Sequence, residues 1–200
     1  MRRIDDPARL SELYGTPSEA ALRKVARRLT PAYRRWIAAA RFCVLATVGP
    51  EGTDASPRGD DGPVVLELDP GTLALPDWRG NNRLDSLRNI VTDGRVALMF
   101  MIPGASIVVR VNGRAILTDD AGLCARFARQ GRQPVTVIVI DIAEVYAQCP
   151  KSVIRSGLWQ RDDSAGLPSL GDILSEMTEG AIGAADWDRT YPARALETLW

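Results

Sequence analysis

The sequence predicts an α+β protein whose body is an antiparallel β-sheet, a barrel or a sandwich, with helices at both ends of the chain. Three observations lead to this prediction. Helical spacing of apolar residues is concentrated before residue 41 and after residue 150. Between these regions, short apolar runs of strand length predominate, and most connections are tight turns that contain Gly or Pro. Parallel strands need longer crossovers, so a doubly wound parallel sheet is not expected.

The N-terminal residues are predicted to form several short helices, and proline marks where they begin. Thr16-Pro17-Ser18-Glu19 has the pattern of a capping box, and Thr30-Pro31 begins a further helix in the same way. Apolar residues recur at helical spacing from Leu22 to Ile37. We therefore expect residues 1–40 to be an N-terminal helical extension that covers part of the sheet.

Seven strands are predicted after this extension. They cover residues 42–48, 54–59, 64–68, 72–75, 95–102, 106–117 and 135–145. The last run is almost continuously apolar, which indicates a strand in the middle of the barrel or at a subunit interface. Residues 41–160 are expected to form the main domain.

Inside the sheet region, a short helix is predicted from Asp119-Asp120 to about Gln130, and another over Arg83 to Ile90. Its helical spacing places Leu84, Leu87 and Val91 on one face, which we expect to pack on the sheet.

The start of this helix has the composition of an anion site. Asn82, Arg83 and Ser86 gather around its first turn, directly after Gly80 and Asn81. A guanidinium, a hydroxyl, an amide and free backbone N–H groups at a positive helix end suit a phosphate. The alternative is that an Asn caps a surface helix while Arg83 is solvated.

The composition excludes several mechanisms. The chain contains no histidine, so catalytic triads with an imidazole, two-histidine zinc sites and histidine-ligated haem are absent. An organic redox cofactor would supply its own chemistry in such a protein. The net charge is zero, which disfavours nonspecific nucleic-acid binding. The three cysteines, Cys43, Cys124 and Cys149, are too scattered for a metal cluster and are expected to be reduced thiols.

The ends of the chain complete the prediction. No apolar leader follows Met1, and no stretch is long enough to span a bilayer, so a cytoplasmic protein without membrane contact is expected. Residues 161–200 are predicted to form a C-terminal helical tail, and we expect its apolar side chains to pack on the barrel or on a partner subunit.

Six motifs, in this order and spacing, resemble the pyridoxamine 5′-phosphate oxidase-like flavoproteins, and within them a bacterial branch of FMN-dependent enzymes without an assigned substrate. The resemblance covers roughly residues 10 to 160. The motifs are Leu45-Ala46-Thr47 with Gly52, Ser56-Pro57-Arg58-Gly59-Asp60, Leu73-Ala74-Leu75-Pro76-Asp77, Gly80 to Ile90, Arg110-Val111-Asn112-Gly113-Arg114-Ala115, and Cys149-Pro150-Lys151 through Arg155-Ser156 to Leu158-Trp159.

The resemblance implies an FMN-binding split barrel of antiparallel strands, mainly β with terminal helices, that forms a homodimer with two FMN molecules at the subunit interface. It assigns Arg58, Asn82, Arg83 and Ser86 to the phosphate and ribityl end of FMN. The parent family has Ser-Arg-Lys at the helix start, where this chain has Leu84-Asp85-Ser86.

Two further groups of residues follow from the resemblance. Arg110 and Asn112 lie on the polar face of their strand, where they either reach the cofactor or pair with Asp85, or are simply solvated. The segment after the last strand is expected near the other subunit's flavin. Its candidate residues are Lys151, Ser152, Arg155 and Trp159; the alternatives are a solvated helix start for Lys151 and simple packing for Trp159.

The function implied is an FMN-dependent oxidoreductase or flavin reductase that acts on an unknown small molecule. The parent oxidase uses a histidine near its C-terminus for its pyridoxal-type substrate, and the absence of histidine here argues against vitamin B6 chemistry. Two alternatives remain open, a flavin-binding or carrier protein without turnover and a deazaflavin-dependent reductase on the same fold.

Overall fold

A computed structural model describes all residues from Met1 to Trp200. Seven strands form one antiparallel sheet in the order β2-β1-β5-β6-β7-β4-β3. The sheet curls but does not close by hydrogen bonds, so the predicted antiparallel split-barrel fold class is confirmed. The strands are β1 (Phe42–Gly49), β2 (Gly52–Gly59), β3 (Leu66–Asp69), β4 (Thr72–Asp77), β5 (Arg95–Met101), β6 (Val108–Thr118) and β7 (Thr136–Gln148).

The chain also forms eight helices. They are α1 (Pro7–Tyr14), α2 (Glu19–Arg23), α3 (Pro31–Ala38), α4 (Asp85–Thr92), α5 (Ala121–Ala125), α6 (Lys151–Ser156), α7 (Leu170–Met177) and α8 (Ala184–Glu197). None of them is both long enough and apolar enough to cross a lipid bilayer. The division into residues 1–40, 41–160 and 161–200 stays a prediction.

Two helices near the N-terminus, α2 and α3, begin at residues whose side chains cap them. The hydroxyl of Thr30 accepts a hydrogen bond from the amide of Tyr33 and Pro31 begins α3, as the sequence predicts. For α2 the predicted cap is wrong by two residues. Ser18, rather than Thr16, is the N-cap, and its hydroxyl accepts from the amide of Ala21.

One face of the sheet carries the main hydrophobic core. Alternate residues of the central strands point into it, among them Leu45 of β1, Phe100 of β5 and Val111 of β6, which are almost completely buried. Helix α3 adds Ile37 and α4 adds Ile90 to the same core. The sheet therefore has an inner face that packs on helices and an outer face that is only partly covered.

The face of α4 that packs on the sheet matches the predicted one only at Leu87, which packs against the core. Leu84 and Val91 are exposed, whereas Ser86 and Ile90 are buried. The reason is that the helix begins at Asp85. Leu84 lies before the helix with a left-handed backbone (φ 62°), so it does not share the inward face of Ser86, Leu87 and Ile90.

Candidate functional site

An ion pair bridges the gap in the open barrel. Arg58 on β2 and Asp77 at the end of β4 lie at opposite sides of this gap, and Arg58 Nη1 donates to Asp77 Oδ1 at 2.5 Å. Their side chains are only 18% and 17% exposed. Strand alternation accounts for the position of Arg58, because its register partner on β1 is the buried Cys43.

A chain of hydroxyl groups extends from Arg58 to the start of α4. Arg58 Nε donates to Ser56 Oγ at 3.2 Å, and Ser56 Oγ lies 3.0 Å from Ser86 Oγ. Ser86 Oγ donates to Asp54 Oδ2 at 2.5 Å. The structure thus brings two predicted site residues, Arg58 and Ser86, into one hydrogen-bonded network.

Sequence reasoning missed the other members of this network. Asp54, Ser56 and Arg58 alternate along β2, so a period of two was the signal that they share one face. The contribution of Asp77 depends on the curl of the sheet, which no local pattern encodes.

A small pocket lies beside this network. It has a volume of about 200 Å³ and is lined by Arg58, Trp78, Arg79 and Gly80 among others. Arg58 uses only Nε and Nη1 in its two hydrogen bonds, so further N–H groups remain to bind an anion. We call this the split pocket.

The turn before α4 presents two predicted residues to solvent. Asn82 is exposed and has a left-handed backbone (φ 60°). Arg83 is 74% exposed and pairs only with Asp85, at 2.9 Å. Helix α4 starts without a side-chain cap, so its first amides are not satisfied by a side chain.

The outer face of the sheet contains a larger cleft of about 590 Å³. Val44, Ala97 and Met99 form part of its apolar floor. Arg110 lies at its edge, in register with Met99 on the neighbouring strand. We call this the outer cleft.

Asn112 lies beside the outer cleft with an unsatisfied atom. Its Nδ2 donates to Glu144 Oε1 at 2.6 Å, but its Oδ1 is buried without a hydrogen-bond partner. Few buried polar atoms in a protein are left in this state. This acceptor is enclosed by the protein itself, so a ligand in the adjoining cleft would reach it only after the Asn112 side chain turned.

Arg110 does not form the predicted alternative ion pair with Asp85. Its guanidinium lies 5.4 Å from the centre of the Tyr146 ring, and Nη1 is 3.5 Å from Gln148 Oε1. Asp85 is instead paired with Arg83, because both belong to the same turn.

The four predicted residues after β7 occupy three different kinds of position. Ser152 lines the outer cleft, whereas Lys151 and Arg155 are exposed on α6. The indole of Trp159 donates to the carbonyl of Ala105 at 2.8 Å. This bond anchors the segment after α6 to the turn between β5 and β6.

The two halves of the predicted site point to opposite faces of the sheet. Arg58, Cys43, Phe100 and Val109 follow one another across four strands in register, and the last three are buried in the core. Arg110 follows Val109 and so points to the outer face.

Few groups here exchange protons near neutral pH. Burial raises the pKa of the Cys43 thiol to about 12, although the charge of Arg58 opposes the shift. The arrangement suits the binding and orientation of a ligand rather than acid–base chemistry of its own.

Residues 29–149 match the family model for pyridoxamine 5′-phosphate oxidase. The chain belongs to this family. Members of the pyridoxamine 5′-phosphate oxidase family are flavin-related oxidoreductases, which agrees with the motifs of the sequence. Comparison with curated proteins gives no match.

Several solved structures are similar to this family member at low sequence identity. HupZ from Group A Streptococcus has 15% identity and a TM-score of 0.50, covering 60% of this chain and 98% of its own. General Stress Protein 26 from Bacillus anthracis has 16% identity and a TM-score of 0.44, covering 57% and 88%. An FMN-binding protein from Syntrophomonas wolfei has 12% identity and a TM-score of 0.43, covering 58% and 88%.

Proposed function

We propose that the protein is an FMN-dependent oxidoreductase that acts on a small molecule. The observation that carries the proposal is the outer cleft, where an apolar floor adjoins the guanidinium of Arg110 and Asn112 lies in register beside Ala97. A flavin ring is flat and largely apolar, with a polar pyrimidine edge that carries one N–H and two carbonyl groups. FMN, when bound, supplies the hydride or electron transfer.

The residues of the outer cleft fit the ring in complementary ways. On turning into the cleft, the Asn112 side chain would accept from a ring N–H through Oδ1, which would satisfy this buried atom. The guanidinium of Arg110 would donate to a ring carbonyl and stabilise negative charge at the pyrimidine end. Ala97 and Met99 would exclude water from one side of the ring.

The phosphate end of FMN is assigned to the split pocket and the start of α4. Arg83 and Asn82 are exposed and able to turn toward a phosphate, and Arg58 retains unused N–H groups. Ser86 is held at the same place by Asp54 and Ser56. Because the helix start lacks a side-chain cap, its amides also suit an anion.

The opposed faces of these two regions support a homodimer. Within one protomer Arg58 points to the inner face and Arg110 to the outer face, so one cofactor would need the split pocket of one copy and the outer cleft of another. The exposed Lys151 and Arg155, with Ser152 and the anchored Trp159, would then lie near the flavin bound by the partner.

The experiment is an absorption spectrum of the purified protein, followed by reconstitution with FMN. We expect a flavin spectrum that reductant bleaches and oxygen restores. A deazaflavin would give a different spectrum. Steady-state oxidation of a nicotinamide donor would distinguish an enzyme from a carrier, and a protein that stays colourless after reconstitution would refute the proposal.

Variants test the assigned residues. The double variant Arg83→Ala with Ser86→Ala is expected to lose FMN, and Asn112→Leu to weaken its binding by about tenfold, the effect of one lost hydrogen bond to a buried group. Arg88→Ala is the matched control, because Arg88 is an exposed arginine on the same helix. Unchanged FMN affinity in folded variants would reject the residue assignment.

A further inference from the structure

Two tryptophans from distant parts of the chain pack edge to face beside the split pocket. The rings of Trp78 and Trp200 have centroids 4.9 Å apart and an interplanar angle of 72°. Trp78 also lines the split pocket, together with Arg79 and Gly80. The end of the C-terminal segment therefore touches the back of the pocket wall.

A buried carboxylate holds Trp78 from another side. Asp60 Oδ2 accepts from Trp78 Nε1 at 3.1 Å, and the Asp60 side chain is only 1% exposed. Its charge faces Arg129 Nε at 3.5 Å, and Asp61 lies 3.2 Å from the same nitrogen. Arg129 thus compensates the buried charge of Asp60.

The same loop that provides Arg129 also holds Trp200. Arg129 and Arg132 face each other across a tight turn through two backbone hydrogen bonds of 2.9 and 2.8 Å. Arg132 Nη1 donates to the carbonyl oxygens of Trp200 and Glu197 at 2.8 and 3.0 Å. The contacts form a closed ring from Trp78 through Trp200, the turn and Asp60 back to Trp78.

We propose that Trp200 is a positioning residue of the split pocket. It does not line the pocket, but it fixes Trp78 and, through Trp78, the segment that carries Arg79 and Gly80. The anion affinity of the pocket then depends on the docking of the C-terminal segment. This inference rests on the proposed function in assigning the phosphate end of FMN to the split pocket.

The test compares Trp200→Ala and Trp200→Phe with Leu199→Ala, an exposed neighbour that serves as the control. The first readout is the rate of tryptic cleavage after Arg79 in cofactor-free protein, mapped by mass spectrometry. The second is the dissociation constant of FMN, followed by flavin fluorescence. Loss of one edge-to-face aromatic pair changes an equilibrium constant by about two- to tenfold.

We expect Trp200→Ala to raise cleavage after Arg79 and to weaken FMN binding by about this factor. Trp200→Phe retains an aromatic edge and should remain close to the unchanged protein, as should Leu199→Ala. Arg132→Gln, which removes the charged donor to the tail carbonyls, should reproduce the effect of Trp200→Ala.

Equal cleavage and FMN affinity in Trp200→Ala and Leu199→Ala would overturn the inference. Faster cleavage with unchanged FMN affinity would also overturn it, because the pocket would then not depend on the tail. If none of the proteins binds FMN while cleavage rises in Trp200→Ala and Arg132→Gln but not in Leu199→Ala, the positioning of Trp78 is supported and the proposed function fails.

Discussion

Arg58 and Asp77 form an ion pair although four strands separate β2 from β4 in the sheet order. Side chains rather than backbone hydrogen bonds therefore connect the two sides of the barrel at this point. Both side chains are mostly buried, so neither charge is fully solvated when its partner is removed.

Removal of Arg58 should destabilise the fold. We expect Arg58→Ala to lower the free energy of unfolding by about 1 to 3 kcal/mol, less than for a fully buried pair because both groups retain some solvent. Urea denaturation measures the change. The double variant with Asp77→Ala should recover part of the loss, since no unpaired charge remains. An unchanged denaturation midpoint in Arg58→Ala would contradict the prediction.

Gly113 should not tolerate a side chain. It lies at the bulge where the pairing of β6 with β7 shifts by one residue, and an added Cβ would lie 2.0 Å from the carbonyl oxygen of Asp141. We expect Gly113→Ala to destabilise the protein by about 2 kcal/mol or more in thermal unfolding. Gly80→Ala is the control, because its Cβ would meet no atom within 4 Å. Equal melting temperatures would argue against the close backbone approach.

The turn at Asp93 should make the free energy of unfolding fall when the pH is lowered into the acid range. Hydrogen bonds from the side chain and backbone of Arg95 lower the pKa of Asp93 from 3.8 to about 2. Because the folded value is the lower one, the stabilisation is complete above about pH 4 and is lost as the pH falls toward 2.

Asp93→Asn should therefore flatten the pH dependence of unfolding in this window, measured by urea denaturation at stepped pH. Asp119→Asn, at an exposed position, serves as the control. Salt should reduce the effect, since the pair is solvated. The same pH slope in the protein and in Asp93→Asn would refute this interpretation.

The three thiols should differ in reactivity. Cys149 is exposed, whereas Cys43 and Cys124 are buried and burial raises the pKa of both. An aromatic disulfide reagent should modify one thiol rapidly in native protein and all three after denaturation. Cys149→Ser should abolish the rapid phase. Rapid modification that persists in this variant would show that a core thiol is accessible.

The sequence was sufficient to predict the strands and the antiparallel hairpins between neighbouring strands, because turn residues and apolar alternation are local signals. The pairing of β1 with β5 and of β4 with β7 was not predicted, since it joins distant segments. The structure places β1 over residues 42–49 and β4 over residues 72–77, close to the predicted ranges. The inward face of α4 was not predictable in this way. It depends on the left-handed residue Leu84 and on the tertiary hydrogen bonds of Ser86 with Asp54 and Ser56.

The site was predicted in parts but not as an arrangement. Arg58 and Ser86 were assigned together through family resemblance, and the structure joins them through Ser56. The roles of Asp77 and Trp200 could not be read from their neighbours, since each acts across a large separation in sequence.

The pairing of β4 with the late strand β7 affects how the chain folds during its synthesis on the ribosome. Leu73, Ala74, Leu75 and Pro76 are all buried, and apart from the short β3 the only strand that pairs with them is β7, which is synthesised much later. Until β7 emerges, this apolar segment has one uncovered edge and is prone to association with other chains. The nascent protein should therefore present β4 to a chaperone for as long as the intervening segment is being made.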